Sequence, residues 1–172
     1  MLDSFPVTAS SVARFFHMKG STLERYYKDF LSDFEDWDQK EHAKKWMLIA
    51  KNLGKNCSID ETKIGDEVYT ILSNKDGHGR RGTIIAVVRG TKASVVSKIL
   101  KMIPLSEREK VEEVTMDFSD SMYAIVRDCF PNATIIIDCF HVIQRLCEAL
   151  DSIRMKFKRI AVTQTKKAKA KF

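Results

Sequence analysis

The sequence predicts an α/β protein, with a mixed five-stranded sheet, flanking helices and a small helical subdomain in front. Three observations predict it. Apolar residues recur at helical spacing over the first third of the chain, and from Cys57 onward β-branched runs with strand character take over. Two of those runs stop on an aspartate, Asp117 and Asp138, where a helical pattern begins. A further aspartate, Asp60, lies in the first of them.

With 172 residues, 44% of them hydrophobic, the chain can bury one core and carry a small accessory subdomain. Its 29 basic and 23 acidic residues leave a net charge of +6, which favours a polyanionic partner. Cys57, Cys129, Cys139 and Cys147 lack paired metal-ligand spacing, so buried, reduced thiols of a cytosolic protein are expected. No apolar run approaches the ~18 residues of a membrane span, and the N-terminus lacks the layout of a signal peptide. A soluble, cytoplasmic protein with no membrane partner is the expectation.

From Thr8 the pattern is helical, broken at residues 17–20, and a second helix is expected to open at Ser21 with Glu24 completing a capping box. Val12, Ala13, Phe16, Met18, Leu23 and Tyr26 have helix-turn-helix spacing, with His17 at the place where a tight turn favours glycine. In a DNA-binding reading, Lys19, Thr22, Arg25 and Lys28 would face the groove or the phosphates. The acidic run that follows, from Asp29 to Glu41, argues for a packing subdomain instead. A third helix is expected over residues 38–53, with Ala43, Trp46, Met47 and Ala50 inward and Gly54 as its stop.

Three strands then follow, over residues 57–62, 68–72 and 83–88, joined by connections short enough for antiparallel hairpins. The second connection carries Lys75, His78, Arg80 and Arg81 on a glycine-rich tip. Lys75, Arg80 and Arg81 are candidate phosphate contacts, although a solvated tip accounts for them as well. An amphipathic helix spans residues 92–103 and ends at Pro104, and a polar loop leads to a strand over 111–116. Ser119 caps the next helix. Residues 134–137, nearly all apolar, read as a strand covered on both faces. A long helix from Phe140 lines up Ile143, Leu146, Cys147, Leu150, Ile153 and Phe157. The basic tail, including Lys156, Lys158, Arg159, Lys166, Lys167, Lys169 and Lys171, is solvated or phosphate-facing.

Right-handed crossovers place the fourth strand beside the first and the fifth outside it, so Asp60 and Asp117 would sit side by side. Two close carboxylates repel unless a cation lies between them, and Mg²⁺ is the ordinary solution in phosphoryl-transfer sites. Asp138 is the nearest additional carboxylate by topology, and Glu61 and Glu148 are weaker candidates. His141 is either a ligand, a phosphate contact or a residue of the helix start. The alternative for all three aspartates is capping of turns at strand ends.

Residues 59–62 (Ile, Asp, Glu, Thr), 114–117 (Val, Thr, Met, Asp), 130–133 (Phe, Pro, Asn, Ala) and 138–142 (Asp, Cys, Phe, His, Val) resemble the DDE transposases of bacterial insertion sequences, specifically the ISL-three group. The branch it resembles is one where a separate small reading frame precedes the catalytic one. The resemblance is strongest over residues 57–154 and extends weakly over the N-terminal helices. It implies a ribonuclease H-like core binding two Mg²⁺ or Mn²⁺ ions. Asp60 would be the first catalytic aspartate and metal ligand, Asp117 the second, and residues 138–142 would lie at the mouth of the site. It also implies cleavage and strand transfer of DNA at transposon ends and target, by a homo-oligomer in the active complex. The family's third acid is a glutamate after a long helical insertion. The sequence stops at Phe172 before such a residue, and the neighbours of Glu148 do not match its motif, so a truncated core is expected.

The expected organisation is therefore a helical subdomain at 1–55, an incomplete catalytic core at 56–160 and a basic tail at 161–172. Competing functions are a non-catalytic DNA-binding or assembly module of a mobile element, and another ribonuclease H-like nuclease such as a junction resolvase.

Overall fold

In the computed structural model, which describes residues 7–169, the chain divides into units of residues 1–47 and 48–172. In the first unit, helix α1 (Ala9–Phe15) opens at Thr8, whose hydroxyl accepts the Ser11 N–H at 3.1 Å. The chain leaves α1 through His17, whose φ of 53° is the left-handed conformation that the turn demands. Helix α2 (Gly20–Tyr26) is entered from Lys19, so Ser21 lies within its first turn and the expected Ser21–Glu24 capping box does not form. Backbone approach explains the shift. A Cβ on Gly20 would sit 2.9 Å from the Cα of Ser10, so α2 starts at the one residue that can cross α1 this closely. Ala13 is fully buried in the unit.

After a π-helical turn over Tyr27–Leu31 the chain does not form the third helix expected over 38–53. Turns occupy 38–45, strand β1 spans Trp46–Leu48, and a single 3₁₀ turn spans Ala50–Asn52. The apolar spacing at 43, 46, 47 and 50 does fit a helix. A sheet edge takes this stretch instead, and just past β1 the Ile49 N–H donates to the Ile85 carbonyl at 2.7 Å.

That sheet has six strands, in the order β1-β4-β3-β2-β5-β6, and β1 is the strand not expected. Strands β2 (Asn56–Ile64), β3 (Glu67–Asn74) and β4 (Ile84–Arg89) form an antiparallel meander. Its first hairpin turns at Gly65, whose φ of 63° suits the missing side chain. Strands β5 (Glu113–Met116) and β6 (Thr134–Ile137) add in parallel on the other side of β2, as expected. Between the strands run α3 (Ala93–Leu100), the one-turn α4 (Leu105–Arg108) in the expected polar loop, and α5 (Asp120–Cys129), with the long α6 (Cys139–Lys169) last. Ser119 caps α5 by accepting the Met122 N–H, as expected.

Strand alternation builds the core on one face of the sheet. Cys57 and Ile59 of β2, Leu72 of β3, and Val114 and Met116 of β5 are buried, as are Val96 and Leu100 of α3 and Met122, Ile125 and Val126 of α5. The alternate positions, Ser58, Ser73, Thr115 and Ile136, are only half-buried. Strand β6 is consequently an edge strand with half-buried isoleucines, not one covered on both faces.

The apolar stripe expected on the last helix is present on α6 but exposed, from Ile143 at 59% through Leu150 at 66% to Phe157 at 66%. Helix α6 also runs through most of the expected basic tail, while residues 170–172, including Lys171, lie outside the described residues. Two thiols depart from expectation with it. Cys57 and Cys129 are buried, whereas Cys139 and Cys147 are exposed. Burial pushes the Cys57 thiol up to about 11. With a raised folded-state value, its contribution to stability is complete below the ordinary pKa of 9.0 and is lost as pH rises towards about 11. A thiol reagent at pH 8 should therefore label Cys139 and Cys147 rapidly and the other two only on unfolding, as mass spectrometry of the labelled chain would read directly. Equal labelling of all four would contradict this packing.

Candidate functional site

Register brings the three aspartates together. Ser58 of β2 is paired with Thr115 of β5, so continuing two residues along both parallel strands aligns Asp60 with Asp117. Met116 is paired with Ile137 of β6, and one further step aligns Asp117 with Asp138. The ladder continues that far, because the Asp138 N–H donates to the Met116 carbonyl at 2.9 Å. Each aspartate follows a buried or half-buried apolar residue, and side chains alternate along a strand, so all three point away from the core face.

They line one small cleft of about 70 Å³, together with Ser58, Ile59, Thr115, Met116 and His141. The ring Nδ1 of His141 lies 3.4 Å from Asp117 Oδ1, and each of these side chains is 26% exposed. Backbone N–H groups hold one oxygen of each carboxylate. Asp60 Oδ1 accepts from Glu61 at 2.7 Å, Asp117 Oδ1 from Phe118 at 2.5 Å and Asp138 Oδ1 from Phe140 at 2.9 Å. Only the Asp138 bond, made to the N–H two residues on in the first turn of α6, is a capping bond, whereas Asp60 and Asp117 bond the N–H of the next residue and Asp60 does so from within β2. Each engages one carboxylate oxygen and fixes the rotamer, and the second oxygen is left to whatever enters the cleft.

The electrostatics are those of an acidic cluster. The carboxyl of Glu61, next along β2, is raised by burial and then by the charges of Asp60 and Asp117. Among the described residues no three His, Cys, Asp or Glu side chains close around a common point tightly enough to hold an ion as they stand. The donor set nonetheless suits a hard divalent cation, because it consists of carboxylate oxygens at negative potential in a cleft that water can share.

Other candidates lie elsewhere. Glu148 is exposed on α6 and bonds to Gln144 and Arg145 of its own helix. In the first unit Lys19, Arg25 and Lys28 are exposed and Thr22 is half-buried, and the Lys28 ammonium stands 4.5 Å over the Phe34 ring. Arg80 and Arg81 are exposed on the β3–β4 connection. Lys75 differs from them, because its Nζ donates to Thr115 Oγ1 of the cleft at 2.9 Å. Ser58 and Thr115 were not among the expected site residues. The signal was available, since each lies two positions before an aspartate on its strand and so shares its face.

The family model of the ISL-three DDE transposases, described as a transposase, matches residues 57–172. No curated protein matches. Among solved structures, the crystal structure of the catalytic core domain of BIV integrase is similar at 18% identity and a TM-score of 0.37, over 49% of this chain and 54% of that one. The chain thus corresponds to about half the length of that integrase domain. No helix among the described residues is long and apolar enough to cross a membrane.

Proposed function

Since the chain belongs to the ISL-three family of DDE transposases, we propose that residues 57–172 form part of a transposase catalytic core acting on DNA phosphodiesters, with Asp60 and Asp117 as its first two catalytic carboxylates. The observation that carries the reading is the alignment of Asp60, midway along β2, with Asp117 and Asp138, each one residue past the end of the adjacent parallel strands β5 and β6. Asp60 and Asp117 would hold Mg²⁺ or Mn²⁺ ions, with Asp138 as the third carboxylate at the side of the cleft. When bound, such ions polarise the phosphorus centre and stabilise the attacking and leaving oxygens of an in-line displacement.

The chain's own residues supply position and field. The Glu61 and Phe118 amides each hold one carboxylate oxygen, so loading would draw the second oxygens together around an ion. His141 stands against Asp117 and limits where that side chain can swing. Exposed cations around the sheet, Lys75, Arg80 and Arg81, together with Lys19, Thr22, Arg25 and Lys28 of the first unit, are the proposed contacts to the DNA backbone. Transposon ends and target are the proposed partners, bound by an assembly of several copies.

Cation binding tests the reading on the chain itself. Mn²⁺ at a hundred times its dissociation constant should stabilise the fold by about 2.7 kcal/mol, seen as a rise in melting temperature that Na⁺ at equal ionic strength does not produce. A melting temperature indifferent to Mn²⁺ and Mg²⁺ would leave the non-catalytic module as the better reading.

A further inference from the structure

We infer that Lys75 is a phosphate-positioning residue of the carboxylate cleft, holding the DNA backbone beside the reacting phosphodiester, and is not one of the solvated cations of the hairpin tip. This rests on the proposed transposase reading and assigns a part of the same site that the aspartates cannot supply. Acidic oxygens attract cations and repel the polyanion, so a cleft that must accept DNA needs fixed positive charge close to its carboxylates.

The surrounding chain builds that placement. A β-bulge at Leu72/Ser73 is followed directly by a 3₁₀ turn over Lys75–Gly77. Asn74 caps this turn by accepting the Asp76 N–H, and its amide donates to the Asn52 carbonyl at 3.1 Å. A Cβ on Gly54 would lie 2.4 Å from the Asn74 side chain, so Gly54 leaves the room that Asn74 fills. Asp76 accepts from the Asn56 side chain at the start of β2, at 3.1 Å. The turn is thereby pinned to the sheet. Ser73 precedes it on the cleft side, with its hydroxyl 2.9 Å from that of Ser58.

From there the Lys75 side chain reaches past β2 to Thr115 on β5, at 2.9 Å. Thr115 is two residues from Asp117 on the same face, so the ammonium stands roughly 7 Å along the strand from that aspartate. Its named partner is a neutral hydroxyl, not a carboxylate. An ammonium has three donors, and pairing with one hydroxyl leaves its full charge for an incoming phosphate. By contrast Arg80 and Arg81 follow two residues of positive φ, His78 and Gly79, on the exposed part of the loop.

The test uses the full chain and a fluorescein-labelled DNA duplex in EDTA, so that it depends on neither cations nor turnover. Fluorescence anisotropy is read over a salt series for the wild type, Lys75→Met, Lys75→Arg, Thr115→Val and the Lys75→Met/Thr115→Val pair. Lys75→Met should weaken binding about tenfold and lower the slope of log affinity against log salt by about one, equally on unrelated sequences. Lys75→Arg should restore the slope. Thr115→Val keeps the charge and loses its anchor, so it should weaken binding about threefold at unchanged slope and add nothing to Lys75→Met. Melting temperatures should stay at the wild-type value, because Lys75 is exposed. If the wild type binds but Lys75→Met keeps its affinity and slope, Lys75 is not a phosphate contact. If Thr115→Val is silent, or additive with Lys75→Met, the ammonium acts from solvent and the placement is wrong. A wild type with no salt-dependent affinity for duplex overturns the transposase reading along with this one.

Discussion

On the proposed reading, Asp60→Asn and Asp117→Asn should each abolish the Mn²⁺-dependent rise in melting temperature and lower any metal-dependent DNA cleavage about 10²–10³-fold, the scale on which transition-state charge stabilisation is lost. Asparagine is the informative replacement. It keeps the side-chain oxygen that accepts the Glu61 or Phe118 N–H, so a purely local backbone-bonding role survives and only the charge goes. The two explanations for these aspartates then separate by sign. If they serve only the local backbone, the variants melt near the wild type with or without Mn²⁺.

If they form a cation site, the order of stabilities reverses on adding Mn²⁺. In EDTA each variant should be at least as stable as the wild type, because one member of a repelling cluster has been neutralised. Burial first, and then the charges of Asp60 and Asp117, raise the carboxyl of Glu61 in the same cluster. With Mn²⁺ the wild type should become the most stable of the three. Asp138→Asn should fall between, since its oxygen also caps α6 through the Phe140 N–H and it stands at the outer end of the aligned row. Thermal melts in EDTA and in Mn²⁺ decide it. Variants that respond to Mn²⁺ as the wild type does would remove Asp60 and Asp117 from the proposed site.

What could be read from the sequence was what each stretch decides locally. Strands β2, β5 and β6 carry short β-branched or apolar runs, and the aspartates end two of them at helix starts, so their existence and their alignment followed from pattern and crossover handedness. Strand β1 was not legible, because its three residues continue a helical spacing and only the edge of a strand nearly forty residues away makes them extended. The exposure of Cys139 and Cys147 was hidden for a related reason. An apolar stripe states what a helix can bury and not what covers it, and on α6 the stripe is open to solvent. The cleft shows the same division. Its aspartates were legible, whereas the approach of Lys75 to Thr115 depends on a bulge and a capped turn that bring together residues 40 apart.

Arg108→Met should cost the fold about 3 kcal/mol, the largest loss expected from a single polar side chain outside the cleft. Arg108 is only 8% exposed, and its guanidinium is a clamp. Nε donates to the Ile103 carbonyl at 2.9 Å and Nη1 to the Cys129 carbonyl at 2.6 Å. Ile103 belongs to the turn that follows α3, and Cys129 ends α5, where carbonyls have no partner within the helix. Methionine preserves the apolar stem and the volume while leaving two buried acceptors unsatisfied, each worth about 1–3 kcal/mol.

Lysine keeps the charge but lacks the planar fork that reaches both carbonyls, so Arg108→Lys should lose roughly half as much. Urea melts followed by circular dichroism would show a lower midpoint at unchanged slope. A loss within error of zero would mean that water replaces the clamp. The consequence reaches the cleft through the chain, because α5 begins three residues after Asp117 and its far end is what Arg108 holds. Arg108→Met should therefore lower the temperature at which the Mn²⁺ response disappears, while leaving that response intact in the cold.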